Sequence, residues 1–184
     1  MNYHVVKFTG PFGFIKPWTA VRDSETFSQQ FLTPSILEGI RQKLGVKEIL
    51  RHKLTYSGIS SQQEQTQPRG WEYKKTQNLM TRSRSILVRG VMINPELYLA
   101  FASEEAAAYA AKQHICLCRN EDVLLPSGKL MSLTEPDFNE LPGFELRFGD
   151  HENAFLVGYN RFEEGNAMHG WLEVTGSPVR SAAI

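Results

Sequence analysis

Aromatic and basic side chains that suit single-stranded nucleic acid are concentrated between residues 57 and 84. This segment holds few aliphatic residues, and Trp71 and Tyr73 stand only two positions apart within it. Aromatic rings stack on unpaired bases, while lysine and arginine attract phosphates, so their interleaving predicts a binding arm. The candidate binding residues of this arm are Arg69, Trp71, Tyr73, Lys74, Lys75, Arg82 and Arg84.

The spacing of these residues predicts how they face a ligand. Successive side chains of an extended segment point to opposite sides, so the rings of Trp71 and Tyr73 share one face and Lys74 points across. Each stacked base contributes ~1–3 kcal/mol, whereas the cations supply salt-dependent affinity without sequence preference. Lys16 and Arg22, in the early loop over residues 10–33, are predicted to border the groove in which the arm binds its ligand. A hairpin tip whose Trp71 packs back onto the domain is the alternative.

The charges are segregated along the chain although they cancel overall. Residues 1–90 carry fourteen Lys and Arg against six Asp and Glu, a net charge of +8, and residues 91–184 carry six against fourteen, a net charge of −8. Segregation of this size predicts that one half meets a polyanion, while the acidic half faces solvent or a basic partner. A protein-only adaptor that uses the acidic half as its interface, and retains no RNA, is a further alternative.

No residue pattern predicts a metal site, a cofactor site or a common catalytic motif. The five histidines include no pair at helical metal-binding spacing, and the Gly-rich phosphate-binding and Gly-x-Ser-x-Gly motifs are missing. Cys116 and Cys118 are predicted to lie in one strand as two buried thiols that point to opposite faces and form no disulfide. We therefore expect no bound metal, no cofactor and no catalytic residue.

The remaining enzymatic hypothesis is a metal-independent endoribonuclease that processes precursor RNA. Such a reaction needs a general base near the 2′-hydroxyl, a cation beside the phosphate and a proton donor for the leaving oxygen. His52, Lys53 and Tyr56, on a predicted strand beside the arm, have suitable side chains. Neighbouring strand residues point to opposite faces, however, so His52 and Lys53 act together only if the strand bulges. Binding is therefore the preferred hypothesis.

The first part of the chain predicts a strand, a helix and a second strand. The first strand, residues 3–9, ends at a Gly-Pro turn, and a long ordered loop follows. Thr33 then supplies an N-cap with proline at the first helical position, and apolar residues recur at helical spacing until Gly45 ends the helix. Residues 46–56 predict the second strand.

The next elements complete an alternating order. Residues 85–101 predict a third strand interrupted by Asn94-Pro95, Ser103 opens a second helix, and residues 115–119 predict a fourth strand. The order strand, helix, strand, strand, helix, strand predicts an α+β domain of the ferredoxin-like or RRM-like type, with the arm between strands two and three. This fold hosts many functions, so it does not by itself identify one.

The predicted domain comprises residues 1–125, with the arm at 57–84. Short β-like runs predict a small β-rich C-terminal extension over residues 126–176, and residues 177–184 predict a loose tail. The sequence contains no run of eighteen apolar residues and no signal-peptide pattern. We therefore expect a cytoplasmic protein with no membrane partner.

Three stretches of the sequence form a pattern together. The first runs from Gly10-Pro11 to Phe31-x-Thr33-Pro34-Ser35-x-x-x-Gly39, which opens a helix ending at Leu44-Gly45. The others are Arg84-Ser-Ile-Leu-Val-Arg-Gly-Val-Met, after the arm, and Ile115-Cys-Leu-Cys-Arg119-Asn-Glu-Asp122. The pattern, which covers about two thirds of the chain, resembles the CRISPR-associated RAMP superfamily, and in particular Cas family five, the Cascade subunit at the 5′ end of the crRNA.

The resemblance implies an RRM-like domain whose arm is a thumb, working as a non-catalytic RNA-binding subunit of an antiviral ribonucleoprotein complex. It implies that the subunit grips the single-stranded 5′ handle of the crRNA, packs against the Cascade backbone and large subunits, and meets target DNA only indirectly. By position, Arg69 to Lys75 are implied thumb residues, and Lys16 and Arg22 are implied to lie beside the handle. Cys118 replaces the glycine of a Leu-Gly-Arg motif in the family.

Overall fold

The computed structural model describes residues 1–17, 25–66, 70–82, 84–160 and 164–180. Over these ranges the chain is a mixed α+β fold of mostly antiparallel sheets with few helices. The predicted α+β class is therefore confirmed. The helices are α1 Pro34–Leu44, α2 Glu104–Ala110 and α3 Glu135–Glu140. None of the helices in these ranges is long and apolar enough to cross a membrane.

Within the described ranges, nine strands form one large sheet, in the order β10-β11-β1-β9-β4-β13-β15-β14, with β12 also paired to β1. A second sheet is built from β2, β8 and β3 with β5 beside β8, and β6 and β7 form a hairpin. The strands are β1 Asn2–Thr9, β2 Phe12–Gly13, β3 Glu25–Phe27, β4 Arg51–Thr55, β5 Gly58–Thr66, β6 Trp71–Lys74, β7 Leu79–Arg82, β8 Ser85–Ile93, β9 Glu96–Phe101, β10 Ile115–Cys116, β11 Val123–Pro126, β12 Met131–Thr134, β13 Gly143–Phe148, β14 Phe155–Asn160 and β15 Asn166–Thr175.

Both faces of the large sheet carry buried side chains, because successive residues of its strands point to opposite sides. In β1, Val6 and Phe8 join the main apolar cluster, which also contains residues of α1 and α2. Tyr3 and Val5 join a smaller cluster around Phe138 of α3, on the other face. The sheet therefore packs against helices on both sides, α1 and α2 on one face and α3 on the other.

Helix α1 has the bounds that the sequence predicts. The Thr33 side chain accepts a hydrogen bond from the backbone N–H of Ile36 at 3.4 Å, a cap that stabilises a helix by about 1 kcal/mol. Gly45 ends the helix in the left-handed region, with φ of 66°. This conformation favours glycine because a Cβ would approach the backbone.

Two predicted strands differ from the observed ones. The second is regular only from Arg51, because the chain just after α1 is held at the end of the helix, where Arg41 donates to the carbonyl of Val46 at 3.0 Å. The third is divided at Asn94, which has a φ of 48°, and Pro95, which has no N–H to donate. Its first part, β8, belongs to the arm, and only its second part, β9, lies in the large sheet.

The predicted fourth strand, residues 115–119, is wrong beyond Cys116. The chain reverses because the Asp122 carboxylate accepts from the backbone N–H of Arg119 at 3.0 Å and from its guanidinium at 2.6 Å. The place of the predicted fourth strand beside β1 is taken by β11, in the register Phe8 opposite Pro126. Cys118 is exposed rather than buried, and both cysteines are free.

The C-terminal strands continue the large sheet. Phe144 of β13 pairs with Leu54 of β4, and β15 and β14 follow outward. The start of the predicted tail is bonded to Tyr56, which follows β4. The N–H of Tyr56 donates to the carbonyl of Pro178 at 3.1 Å, and the carbonyl of Tyr56 accepts from the N–H of Arg180 at 2.8 Å. Residues 181–184 lie outside the described part of the chain, and the predicted domain boundary at 125 stays a prediction.

Candidate nucleic-acid interface

The predicted arm is a β-structure that extends from the large sheet. Strands β5 and β8 are paired along nine residues each, from Gly58 opposite Ile93 to Thr66 opposite Ser85. Beyond them, β6 and β7 form a hairpin in the register Trp71 opposite Arg82. The segment that the sequence predicts as an arm is therefore a ladder of paired strands whose root lies beside β4 and β9.

The hairpin places both predicted stacking rings on one face. Directly opposite residues of an antiparallel pair share a face, so Trp71, Arg82, Tyr73 and Met80 lie together. Lys74 lies on the other face, opposite Leu79. The relative orientation of these residues is the one that their spacing predicts.

The two rings are open to solvent. Trp71 is 64% exposed and Tyr73 is 54% exposed, although large aromatic side chains usually contribute buried area. The Tyr73 hydroxyl donates to the side-chain carbonyl of Asn78 at 2.6 Å, across a 3-10 turn, and Asn78 itself has a φ of 47°. Trp71 therefore does not pack back onto the domain, and the Tyr73 ring is held in place by the turn.

Those predicted basic residues of the arm that the structure describes lie on its hairpin and at the start of β8. Lys74, Lys75, Arg82 and Arg84 are exposed. Among the residues that the structure describes, no carboxylate forms an ion pair with Lys74, Lys75 or Arg84. Arg69 lies outside the described residues. Lys74, Lys75 and Arg84 therefore leave their charge available to an anionic ligand.

The early loop and the arm are parts of one sheet. Phe12 and Gly13 pair antiparallel with Ile93 and Met92, and β3 pairs parallel with the middle of β8. Lys16, which follows this first pairing, is exposed. Arg22 lies outside the described residues, so its predicted place beside the groove stays a prediction.

A cluster that the sequence does not reveal joins the arm to the large sheet. The guanidinium groups of Arg89, from the arm, and Arg119 lie over the Phe14 ring at 5.5 and 5.3 Å from its centre. Arg89 also pairs with Glu64 across the β5–β8 ladder at 3.3 Å. The contacts bring together residues far apart in sequence, and only the aromatic and basic residue types themselves could have signalled them.

The candidate nuclease residues are buried. His52 is 3% exposed, and its Nε2 accepts from the backbone N–H of Leu146 at 3.4 Å. Burial and the nearby charge of Arg51 lower the pKa of His52 to about 3. Lys53 is fully buried, and Tyr56 accepts a hydrogen bond from Gln30 at 2.9 Å. These three side chains stabilise the fold and are not placed where an RNA could reach them.

Metal-binding side chains are not grouped in the part of the chain that the structure describes. No cluster of three or more His, Cys, Asp or Glu side chains there could hold an ion. The arm instead combines aromatic, amide and basic side chains, which are typical of binding to unpaired bases and phosphates.

The comparisons with known proteins concern the fold. No protein-family model and no curated protein matches the sequence. Among solved structures, a chain of a "CRISPR RNA-guided surveillance complex" is similar, with a TM-score of 0.52 and 10% sequence identity. The alignment covers 98% of this chain and 94% of that chain. The likeness therefore extends over the arm, the large sheet and the C-terminal strands, and at this identity it concerns the fold alone.

Proposed function

We propose that this protein is a non-catalytic RNA-binding subunit of a CRISPR surveillance complex of the Cascade kind, and that its arm grips the single-stranded 5′ handle of the crRNA. The observation that carries the proposal is the arm hairpin, where two solvent-exposed rings share one face and exposed lysines lie on the opposite face and in the turn. Stacking on the rings would supply affinity for bases, and the lysines would supply affinity for phosphates.

The fold supports this role. The similar chain comes from an RNA-guided complex and matches over nearly the whole length of this one. The neighbours β11-β1-β9-β4 are all antiparallel, and α1 and α2 separate them along the chain in the manner of a ferredoxin-like or RRM-like core. We assign the resemblance to Cas family five on the motifs around Thr33, Arg84 and Arg119.

The proposed partners follow from this role. The principal ligand is the crRNA, the neighbours are the backbone and large subunits, and target DNA is met only through the assembled complex. The acidic C-terminal half, with a net charge of −8 over residues 91–184, suits protein contacts better than RNA contacts. The role also implies a cytoplasmic protein that needs no metal.

The test is binding of the full chain to labelled repeat RNA in a metal-free buffer, read by fluorescence anisotropy and on a denaturing gel. The wild-type protein is expected to bind without cutting. Trp71→Ala with Tyr73→Ala should weaken binding about 5- to 150-fold for each base that is no longer stacked, from ~1–3 kcal/mol per base.

The matched control is Tyr159→Ala, since Tyr159 is also 64% exposed but lies on the edge strand β14. This variant should bind RNA as the wild-type protein does. A discrete cut would contradict the non-catalytic role and support the endoribonuclease. Equal weakening by both variants would show that the arm has no special part in binding.

A further inference from the structure

A third exposed aromatic ring, which the sequence does not single out, lies on β3, the strand that pairs with β8 of the arm. Phe27 of β3 is 55% exposed, and its backbone pairs with Gly90 in the middle of β8. A Cβ built on Gly90 would collide with the Phe27 ring. The ring therefore lies against β8 at the place where the strand has no side chain, and more than half of the residue's surface is open to solvent.

The backbone around this ring is fixed from both sides. The N–H of Ser28 donates to the carbonyl of Gly90 at 2.7 Å, and the Ser28 hydroxyl accepts from the N–H of Ile15 at 2.9 Å. The N–H of Gln29 donates to the carbonyl of Ile15 at 2.8 Å. A ring on a fixed backbone loses little conformational entropy when a ligand stacks on it.

Polar side chains share the face of the ring. Gly90 also pairs with Ser61 of β5, and the next row on this face contains Glu25, Val88 and Gln63. Ser61, Gln63 and Glu25 are exposed. Hydroxyl, amide and carboxylate groups beside an open aromatic ring can bond to the edge of a base that is stacked on the ring.

A basic residue, Lys16, lies next to this surface. Lys16 is exposed and follows Ile15, whose backbone is bonded to Ser28 and Gln29. It therefore lies beside the strand that carries Phe27. The segment from the start of β5 to the end of β8, residues 58–93, holds six Lys and Arg against two Asp and Glu, a net charge of +4. This charge favours a polyanion over an uncharged or basic protein surface as the occupant.

We propose that the Phe27 ring on Gly90 is a second base-stacking site for single-stranded RNA, with Lys16 binding a neighbouring phosphate. This inference rests on the proposed function and adds to it a site at the base of the arm, separate from Trp71 and Tyr73 at its end. The RNA would then contact the arm sheet at two places, on rings contributed by the hairpin and by the early loop.

The test compares three variants of the full chain by anisotropy with labelled repeat RNA at one salt concentration. Phe27→Ala is expected to weaken binding about tenfold, the loss typical of one stacked base. Phe27→Leu keeps an apolar side chain over Gly90 without a stacking ring, so it should weaken binding equally. Gly90→Ala displaces the ring without removing it and should also weaken binding. Thermal melting followed by circular dichroism confirms that each variant is folded.

The outcomes separate this inference from the proposed function. In one outcome, a folded Phe27→Ala variant keeps wild-type affinity while Trp71→Ala with Tyr73→Ala still weakens binding. That result would overturn the second site alone and would assign the Phe27 surface to a protein partner. Wild-type affinity in Phe27→Leu would show that the ring only packs, which also overturns the site. Failure of the wild-type protein to bind RNA would overturn both proposals.

Discussion

Strand β4 and the arm lie close together in the sequence, and both are rich in basic residues, yet they use their charges differently. In β4, Arg51 donates two hydrogen bonds to the Glu145 carboxylate, at 2.6 and 2.7 Å, and both side chains are buried. Lys53 donates to the carbonyls of Asn139 and Leu141, both at 2.7 Å, at the end of α3. In the arm, the lysines face solvent.

The comparison shows that the net charge of the N-terminal half overstates the charge available to a ligand. Arg51 and Lys53 count toward the +8 of residues 1–90, but their partners are C-terminal groups that hold β13 and α3 on the sheet. A buried ion pair or ammonium group is satisfied within the protein and exerts little field at the surface. The exposed lysines of the arm, by contrast, keep their charge at the surface.

The largest effect is expected from breaking the buried pair. Arg51→Ala leaves the Glu145 carboxylate buried without its cation, and it should lower the free energy of unfolding by about 3–5 kcal/mol. Urea denaturation followed by circular dichroism measures the loss. The RNA affinity of the protein below its unfolding transition should not change, because this charge does not reach the surface.

The control replaces both partners with apolar side chains of similar size, Arg51→Met with Glu145→Leu. Replacement of a whole buried pair is often neutral or stabilising, so this double variant should recover most of the lost stability. If the single variant instead loses RNA affinity while keeping its stability, the distinction between structural and ligand-binding cations is wrong.

Local patterns predicted much of the fold. The helix from Pro34 to Leu44 follows from its capping residues, and the face shared by Trp71 and Tyr73 follows from strand alternation. A signal for α3 was also present, since Thr134 and Asp137 form a capping box three residues apart, but the helix has only six residues and little apolar periodicity. Such a short element is stabilised by Phe138 in the core and by Lys53 at its end.

Contacts between distant parts of the chain could not be predicted. The spacing of His52 and Lys53 gave no sign that both are buried, because their burial depends on β13 and α3, which lie 94 and 86 residues later. Phe27 and Gly90 are also separated by a long stretch, and only the parallel pairing of β3 with β8 brings them together. The sequence predicts residue types and periods, whereas these sites depend on register between strands.

A smaller effect on stability is expected from pH, through His52. Its pKa is about 3 in the folded protein, below the ordinary histidine value of about 6.5, so the unfolded chain binds a proton that the folded one does not. Stability should therefore fall as the pH is lowered below 6.5, by about 1.4 kcal/mol per pH unit. Urea denaturation between pH 6.5 and about 5 measures this dependence at pH values above the range in which ordinary carboxylates titrate.

The matched variant is His52→Gln, whose side-chain carbonyl can still accept from the Leu146 N–H but does not titrate. Its stability should be nearly constant over this pH window. A slope equal to that of the wild-type protein would assign the dependence to another group, and His52 would then not be a neutral, buried acceptor in the folded state.

The smallest effect concerns the exposed lysines and appears only in the salt dependence of RNA binding. Each phosphate contact contributes about −0.7 to the slope of log affinity against log salt for a single strand. Lys74→Ala with Lys75→Ala should therefore reduce this slope by about 1.4 and leave the unfolding free energy unchanged, because both side chains are exposed. Anisotropy titrations at several salt concentrations measure it.

A second pair of exposed lysines decides whether the effect belongs to the arm. Lys43→Ala with Lys47→Ala removes the same charge from the end of α1 and the turn after it, away from the hairpin. If RNA lies along the arm, this variant should keep the wild-type slope, since a charge more than about 10 Å from the RNA is largely screened at moderate salt. Equal changes in both variants would mean that RNA responds to the overall charge, and the contrast between the arm and the rest of the basic half would not hold.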